Sequence, residues 1–247
     1  MNFLENMLFF IFPKTCEMCG KIGESYICDK CKNKIEELNL YHNKIEDYSQ
    51  DNTKYFDEHA YIFEYNLIIR EKIIQYKFRN KAYLGKMFSE FLMKNEKMCG
   101  FFKKYDIIIP VPMTNKKIRE RGYNQTEIIA KIISKNISNI EIKKNVLIKY
   151  KNNNIQSKLN KRQRQKNVQN VYKINNEEII KGRNILILDD IYTTGATCNE
   201  CAKTLLQAKP NKIGIITIAK DYGKIQTKNK RKEWKNGRFS RKYIRLY

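Results

Sequence analysis

Three short stretches of the chain are almost continuously apolar and rich in β-branched residues. They are YDIIIP at 105–110, NILIL at 184–188 and KIGIITIA at 212–219. Runs of four to eight apolar residues bounded by polar or turn-forming residues are typical of strands buried on both faces. These three stretches therefore predict strands in the interior of a parallel sheet.

Between these strands the apolar residues follow a helical period instead. Residues 66–94 carry apolar side chains three or four positions apart, and the pattern weakens near Arg79 and Asn80, so one or two helices are predicted there. Residues 127–137 and 197–207 show the same spacing. Strands that alternate with helices predict an α/β fold with a parallel sheet flanked by helices.

The composition divides the chain into four segments. Cysteines concentrate in residues 1–39, residues 40–54 are polar and are interpreted as a linker, residues 55–221 form the α/β body, and residues 222–247 form a basic, aromatic tail. A length of 247 residues accommodates one such body and a small additional module.

The end of the second predicted strand carries the most specific chemistry. Two acids, Asp189 and Asp190, follow the apolar run and precede a turn of small and hydroxyl-bearing residues that opens the next helix: Thr193, Thr194, Gly195, Ala196 and Thr197. Backbone N–H groups at a helix N-terminus bind phosphate, and paired carboxylates can accept hydrogen bonds from ribose hydroxyls. Neither the P-loop of ATP motors nor the glycine fingerprint of dinucleotide-binding enzymes is present.

Residues 185–197, ILILDDIYTTGAT, resemble the loop that binds phosphoribosyl diphosphate (PRPP) in type I phosphoribosyltransferases. PVPMTNKKIRERGYNQ at 110–125 is similar to a signature of the ComF competence family, as is the Tyr76-Lys77-Phe78 triplet. A third segment fits the spacing of that family through Gln156, Leu159, Arg164, Asn167, Val168 and Tyr172, although Lys158, Gln163 and Asn170 stand where Gly, Glu and Gly are expected.

The resemblance implies a type I phosphoribosyltransferase-like sheet and a ligand with a pyrophosphate group. Asp189 and Asp190 would then be the catalytic acids. The charge of the pyrophosphate would be met by cations and by Mg²⁺ bound with PRPP. The candidate cations are Lys77, Lys116, Lys117, Arg119, Arg121 and Arg164. No pocket for an incoming nucleophile is recognisable, so whether transfer is catalysed stays open.

Four cysteines form two CxxC pairs, Cys16 with Cys19 and Cys28 with Cys31. This spacing predicts a tetrahedral structural Zn²⁺ site in a zinc-ribbon-like module, and disulfide or redox pairs are the alternative. Cys198 and Cys201 form a further CxxC in a predicted helix, where they are interpreted as core residues.

The formal net charge of +23 favours phosphate-bearing partners, although an AT-rich coding bias toward lysine would also raise it. Basic residues concentrate in residues 141–173 and in the tail, where aromatic residues lie among them as in single-stranded DNA-binding proteins. The candidate DNA-binding residues are Lys158, Lys161, Arg162, Lys166, Arg231, Lys232 and Trp234.

Two functions are therefore expected. The ComF resemblance implies a factor for DNA uptake in natural transformation that binds PRPP or another phosphoribosylated ligand, together with single-stranded DNA, and that has a competence helicase as a candidate partner. The alternative is an active phosphoribosyltransferase of nucleotide metabolism. The apolar run MLFFIF near the start is too short for a signal peptide core with its flanks, and no run approaches transmembrane length. A soluble, cytoplasmic protein without membrane insertion is expected.

Overall fold

The computed structural model describes residues 15–23, 25–37, 41–79, 81–151 and 168–223. In chain order the helices are α1 (Asp29–Glu37), α2 (Leu67–Phe78), α3 (Leu84–Met93), α4 (Glu96–Phe102), α5 (Asn115–Arg121), α6 (Gln125–Asn136) and α7 (Ala196–Leu206). The strands are β1 (Tyr41–Asp47), β2 (Glu58–Glu64), β3 (Ile107–Pro110), β4 (Glu141–Ile142), β5 (Leu147–Lys149), β6 (Tyr172–Ile174), β7 (Asn184–Tyr192) and β8 (Lys212–Lys220).

The main sheet has six strands in the order β1-β2-β8-β7-β3-β4. Every neighbouring pair from β2 to β4 is parallel, which confirms the predicted α/β class, whereas β1 pairs antiparallel with β2. Strands β5 and β6 form a separate antiparallel pair.

The polar segment 40–54 is the main departure from the sequence-based organisation. Its residues Tyr41–Asp47 are not a linker but an edge strand of the sheet. An edge strand is covered on fewer sides than a central strand, so it lacks the continuous apolar run by which central strands were recognised.

Successive residues of β7 pack into two different hydrophobic clusters, one on each face of the sheet. Leu186 and Leu188 belong to a cluster shared with α2, α3, α4 and α6. Ile185 and Ile187 belong to a cluster shared with α7, β5 and β6. This alternation is the two-residue period of a strand buried on both sides, as the continuous apolar run predicted.

Two helices occupy residues 67–93, as the weakened pattern near Arg79 allowed. The side chain of Asn66 caps the first, accepting hydrogen bonds from the backbone N–H groups of Ile68 and Ile69. That helix ends at Phe78, and the next begins at Leu84. The break places Lys77 and Phe78 at a helix end instead of in a continuous helix.

The cysteine module packs directly onto the body. Met18, Ile27 and Ile35 belong to the same hydrophobic cluster as α2 and α3. The Lys86 ammonium on α3 donates to the Tyr26 hydroxyl over 2.9 Å. The module and the body therefore share one core.

The remaining CxxC pair lies in the core, because Cys198 and Cys201 on α7 are both buried against β7. The longest described helices have 12 residues. None of the helices in the described ranges qualifies as a membrane span.

Candidate functional site

Strand β7 extends four residues beyond the apolar run that predicted it, so both acids lie within the strand. Asp190 is buried on the side of α2 and α6, where it contacts residues of both helices. Asp189 is half-buried on the side of α7, with the Cys198 sulfur 3.9 Å from its Oδ2. The strand period thus presents one carboxylate to each face at the carboxyl end of the sheet.

Asp190 is held by two side chains from separate helices. The Lys77 ammonium at the end of α2 lies 2.7 Å from Asp190 Oδ2. The Gln125 amide at the start of α6 donates to the same oxygen over 2.8 Å, and Gln125 Oε1 accepts from Arg121 Nη1 over 2.7 Å. Lys77, Asp190, Gln125 and Arg121 therefore form one connected network, which we call the acid clamp.

Further cations surround the acid clamp. Burial lowers the pKa of Lys117, with the charge of Arg121 next in size and Lys77 contributing in the same direction. Burial also lowers the pKa of Lys149 on β5 to about 8; Lys117 lowers it further and Asp189 opposes both effects. These mutual effects show a positive field around the two acids, which suits a polyanionic ligand.

The environment of Asp189 disfavours its charged form. Burial, followed by repulsion from the Asp190 carboxylate, raises the pKa of Asp189 to about 7. Lys77 and the Asp190 backbone N–H act in the opposite direction without cancelling this effect. Asp189 therefore ionises near neutral pH, unlike an acid in water.

This raised pKa predicts that Asp189→Asn stabilises the protein more at high pH than at low pH. The folded protein holds a proton on Asp189 up to about pH 7, whereas the unfolded chain loses it near pH 4. The contribution of Asp189 to the free energy of unfolding therefore falls between pH 4 and 7, and asparagine removes that loss. We expect the difference in unfolding free energy between Asp189→Asn and wild type to grow by about 2 kcal/mol from pH 5 to pH 8, a value reduced because the carboxyl is partly exposed. Urea unfolding at the two pH values measures this difference. A difference that does not change with pH would contradict the raised pKa.

The turn after β7 forms an open cradle of backbone amides. The N–H groups of Thr193, Thr194 and Gly195 donate to no other group in the described part of the chain. The side chains of Thr193, Thr194 and Thr197 are half-buried, and α7 begins at Ala196. Free amides beside the positive end of a helix form an anion-binding arrangement.

Gly195 is required by this turn for two reasons. Its φ of +72° lies in the left-handed region, and a Cβ placed there would lie 2.3 Å from the Tyr192 hydroxyl oxygen. Gly182 has a similar φ of +66° but open space around it. Comparing alanine substitutions at the two positions therefore separates the cost of a positive φ from the cost of the contact with Tyr192.

We expect Gly195→Ala to destabilise the fold by about 3 kcal/mol and Gly182→Ala by about 1 kcal/mol. Denaturant unfolding of both variants measures the difference. In a Tyr192→Ala background, which lacks the hydroxyl and the ring carbons at 2.4 and 2.8 Å, Gly195→Ala should cost only the backbone part of the loss. Equal losses for both glycines would show that the turn tolerates a side chain at position 195.

The structure brings some of the predicted cations to the acids and not others. Lys77 and Arg121 belong to the acid clamp. Lys116 and Arg119 are exposed on α5, whereas Lys117 and Arg121, one turn apart, share the half-buried side. Arg164 lies outside the described residues, as do all the predicted DNA-binding residues: Lys158, Lys161, Arg162, Lys166, Arg231, Lys232 and Trp234.

Two contributors were missed by sequence reasoning. Gln125 ends the RGYNQ segment, but nothing in the sequence showed that its amide would reach Asp190. Lys149 was one of many basic residues in a charged segment, and its half-buried position in a three-residue strand sets it apart only in the fold. A lysine directly after the apolar run 146–148 was the available signal.

The four N-terminal cysteines converge on one point. All four sulfurs lie within 4.8 Å of one another, and Cys19 Sγ lies 3.8 Å from Cys28 Sγ. A tetrahedral Zn²⁺ with bonds of about 2.3 Å places its sulfurs about 3.8 Å apart. A thiol contact from Cys31 lowers the pKa of Cys16 to about 4, and the Cys28 N–H donates to Cys16 Sγ over 3.3 Å. The cluster could hold a metal ion.

Comparison with known proteins agrees with this geometry. Residues 126–242 match the family described as the phosphoribosyl transferase domain. Competence protein ComFC of Bacillus subtilis is 26% identical over 194 residues, which cover 78% of this chain and 71% of that protein. Competence protein F of Haemophilus influenzae is 26% identical over 154 residues, 60% of this chain and 66% of that protein.

A further relative is the DNA utilization protein YhgH of Escherichia coli O157:H7. It is 29% identical over 102 residues, which cover 41% of this chain and 44% of that protein. The domain match lies on the segment that carries α6, β7 and α7. The chain therefore has a phosphoribosyltransferase-like fold and is similar to the competence proteins ComFC and F over most of its length.

Proposed function

We propose that this protein binds PRPP at the acid clamp and the adjoining turn, and that it acts in DNA uptake during natural transformation. The observation that carries the first part is the position of Asp190. Its carboxylate is fixed by Lys77 and Gln125 beside the free amides of residues 193–195. An anion cradle and a pre-oriented hydroxyl acceptor then lie at the same end of the sheet.

The turn, the two acids and the surrounding cations suit different groups of PRPP. The amides of Thr193, Thr194 and Gly195 bind the 5′-phosphate, while the carboxylates of Asp189 and Asp190 accept from ribose hydroxyls. Lys77, Lys117, Arg121 and Lys149 supply positive charge for the pyrophosphate. Mg²⁺, when bound with PRPP, neutralises part of the pyrophosphate charge.

Calorimetry tests the ligand. Wild-type protein is titrated with PRPP in the presence of Mg²⁺ and again with EDTA, with ribose 5-phosphate as the partial ligand. We expect measurable PRPP affinity that depends on Mg²⁺. Absence of any heat with PRPP and Mg²⁺ would overturn the binding proposal.

The cellular role draws support from the relatives, two named as competence proteins and one as a DNA utilization protein. We propose that single-stranded DNA is the macromolecular partner, held by the strongly basic chain, with a competence helicase as a further partner. A cytoplasmic location fits this role. A transformation assay on the Asp189/Asp190 double variant asks whether the PRPP site serves DNA uptake.

A working transferase is the second candidate, since the match to the phosphoribosyl transferase domain spans the acids and the turn. In that case the cations around the clamp stabilise the pyrophosphate as it leaves C1 of the ribose. Release of pyrophosphate from PRPP, followed in the presence of candidate acceptors, separates turnover from binding.

For the cysteine cluster we propose a structural Zn²⁺ ion. Four sulfur donors complete a tetrahedral shell, which leaves no position for a substrate. Cys16 and Cys31 are buried in the core shared with α2 and α3. The metal then anchors the N-terminal module to the body.

A further inference from the structure

Phe78, the last residue of α2, exposes 68% of its surface. It directly follows Lys77, whose ammonium pairs with Asp190, so the ring lies at the rim of the acid clamp. A single exposed aromatic residue is common on protein surfaces. Phe78 is different because its neighbours fix the ring while leaving it open.

The Arg121 guanidinium holds the Phe78 ring. Arg121 Cζ lies 4.8 Å from the ring centroid, within the range of a cation–π contact. Arg121 is itself fixed, because it donates to Gln125 Oε1 and lies 3.8 Å from Met113 Sδ. The ring is therefore oriented before any ligand arrives.

A second aromatic residue extends this surface. Tyr83 exposes 41% of its surface, and the Lys81 ammonium lies 5.9 Å from its ring centroid. The Tyr123 hydroxyl donates to the Tyr76 carbonyl oxygen near the end of α2, and Tyr83 lies five residues after Phe78, across the break between α2 and α3. We call Phe78, Tyr83, Arg121 and Lys81 the aromatic platform.

The charge around the aromatic platform is mainly positive. Arg79 is exposed directly after Phe78, Lys81 lies beside the Tyr83 ring, and Lys117 lies on the half-buried side of α5. Glu120 is the acidic residue whose charge reaches both Lys117 and Arg121. A surface with oriented rings and excess cations suits stacked bases joined by phosphates.

We propose that the aromatic platform stacks the bases of single-stranded DNA beside the PRPP site. This inference rests on the proposed role in DNA uptake and adds the surface that contacts the strand. A strand is favoured over a free nucleotide because both rings face solvent instead of lining an enclosed pocket. Stacking on one open face is weak for a single base, and a strand adds neighbouring bases and phosphate contacts.

The first test uses fluorescence anisotropy with a labelled 20-nucleotide thymidine oligomer. Phe78→Leu keeps an apolar side chain but removes the stacking face, and we expect about tenfold weaker binding. Tyr55→Leu is the matched control, since Tyr55 is 40% exposed and carries a Lys203 ammonium 5.9 Å from its ring. Its partner Lys203 lies on α7, on the opposite face of the sheet, so the control should keep wild-type affinity.

The second test reports stacking directly. Phe78→Trp, made together with Trp234→Phe, leaves position 78 with the single tryptophan of the chain. Trp234→Phe alone is the reference for affinity; we expect the double variant to bind the oligomer as tightly as this reference and its fluorescence to be quenched on binding. Thymidine monophosphate at the same nucleotide concentration should quench little.

The outcomes separate the two proposals. If wild-type protein does not bind the oligomer, the DNA part of the proposed function fails and the platform fails with it. If wild-type protein binds and Phe78→Leu binds equally well, or if Tyr55→Leu loses as much affinity, the platform alone is overturned. Equal quenching by thymidine monophosphate would assign the ring to a free nucleotide and would also overturn the strand proposal.

Discussion

Asp190→Asn is expected to weaken PRPP binding about 100-fold while binding of inorganic pyrophosphate stays the same or strengthens. In the proposed complex the carboxylate accepts from the ribose, and a hydrogen bond to a charged group contributes roughly 1.5–3 kcal/mol. Asparagine can still accept from Gln125, but it releases the Lys77 ammonium that now pairs with Asp190. The freed ammonium becomes available to phosphate. Calorimetry with PRPP and with pyrophosphate measures how far each affinity changes from wild type to Asp190→Asn.

The control for this prediction is Asp106→Asn. Asp106 precedes β3 and accepts from the Asn184 N–H at the start of β7, so it lies at the amino ends of the same strands. The variant makes the same charge change far from the acid clamp and should leave both affinities unaltered. If Asp190→Asn lowers PRPP and pyrophosphate binding by the same factor, Asp190 supports the fold of the site and does not bind ribose.

Removal of Zn²⁺ is expected to have the largest effect on stability. Purified, reduced protein should contain about one Zn²⁺ per chain, and a chelator should lower the melting temperature by about 10 °C. The reason is the shared core: without the metal the cysteine module is too small to stay folded, and Ile27 and Ile35 leave the cluster that they share with α2 and α3. Differential scanning fluorimetry and metal analysis measure both quantities.

Cys31→Ser and Cys99→Ser form a matched pair for this test. Cys31 is buried in the four-sulfur cluster, whereas Cys99 is a half-buried thiol that contacts the Met93 carbonyl oxygen. We expect the first variant to lose Zn²⁺ and the second to retain it. A zinc content near zero in wild-type protein would contradict the metal assignment, and equal destabilisation by both variants would show only the sensitivity of buried thiols.

The central strands were predictable because their signal is local. A stretch such as 185–188, covered on both faces, must be apolar at every position, and the sequence records this directly. The edge strand Tyr41–Asp47 carries no such requirement and was mistaken for a linker. Its place in the sheet depends on pairing with β2, a contact that no local pattern records.

In the candidate site, too, contiguous residues were predictable and partners distant along the chain were not. Asp189, Asp190 and the turn at 193–197 are contiguous, so the sequence alone indicated a phosphate cradle beside two acids. The sequence also grouped the four cysteines by spacing. The partners of the acids could not be grouped in that way, because Lys77 and Gln125 approach Asp190 from positions 113 and 65 residues away along the chain.

What the sequence by itself determined is therefore the groups carried by neighbouring residues: buried parallel strands, two acids followed by a turn of small and hydroxyl-bearing residues, and a four-cysteine cluster. The tertiary structure decided which cations accompany those groups. It placed Lys77, Arg121 and Lys149 near the acids and left Lys116 and Arg119 exposed. The physical reason is that charge acts through space over a few ångströms, and only packing of α2, α5 and β5 against the sheet sets those distances.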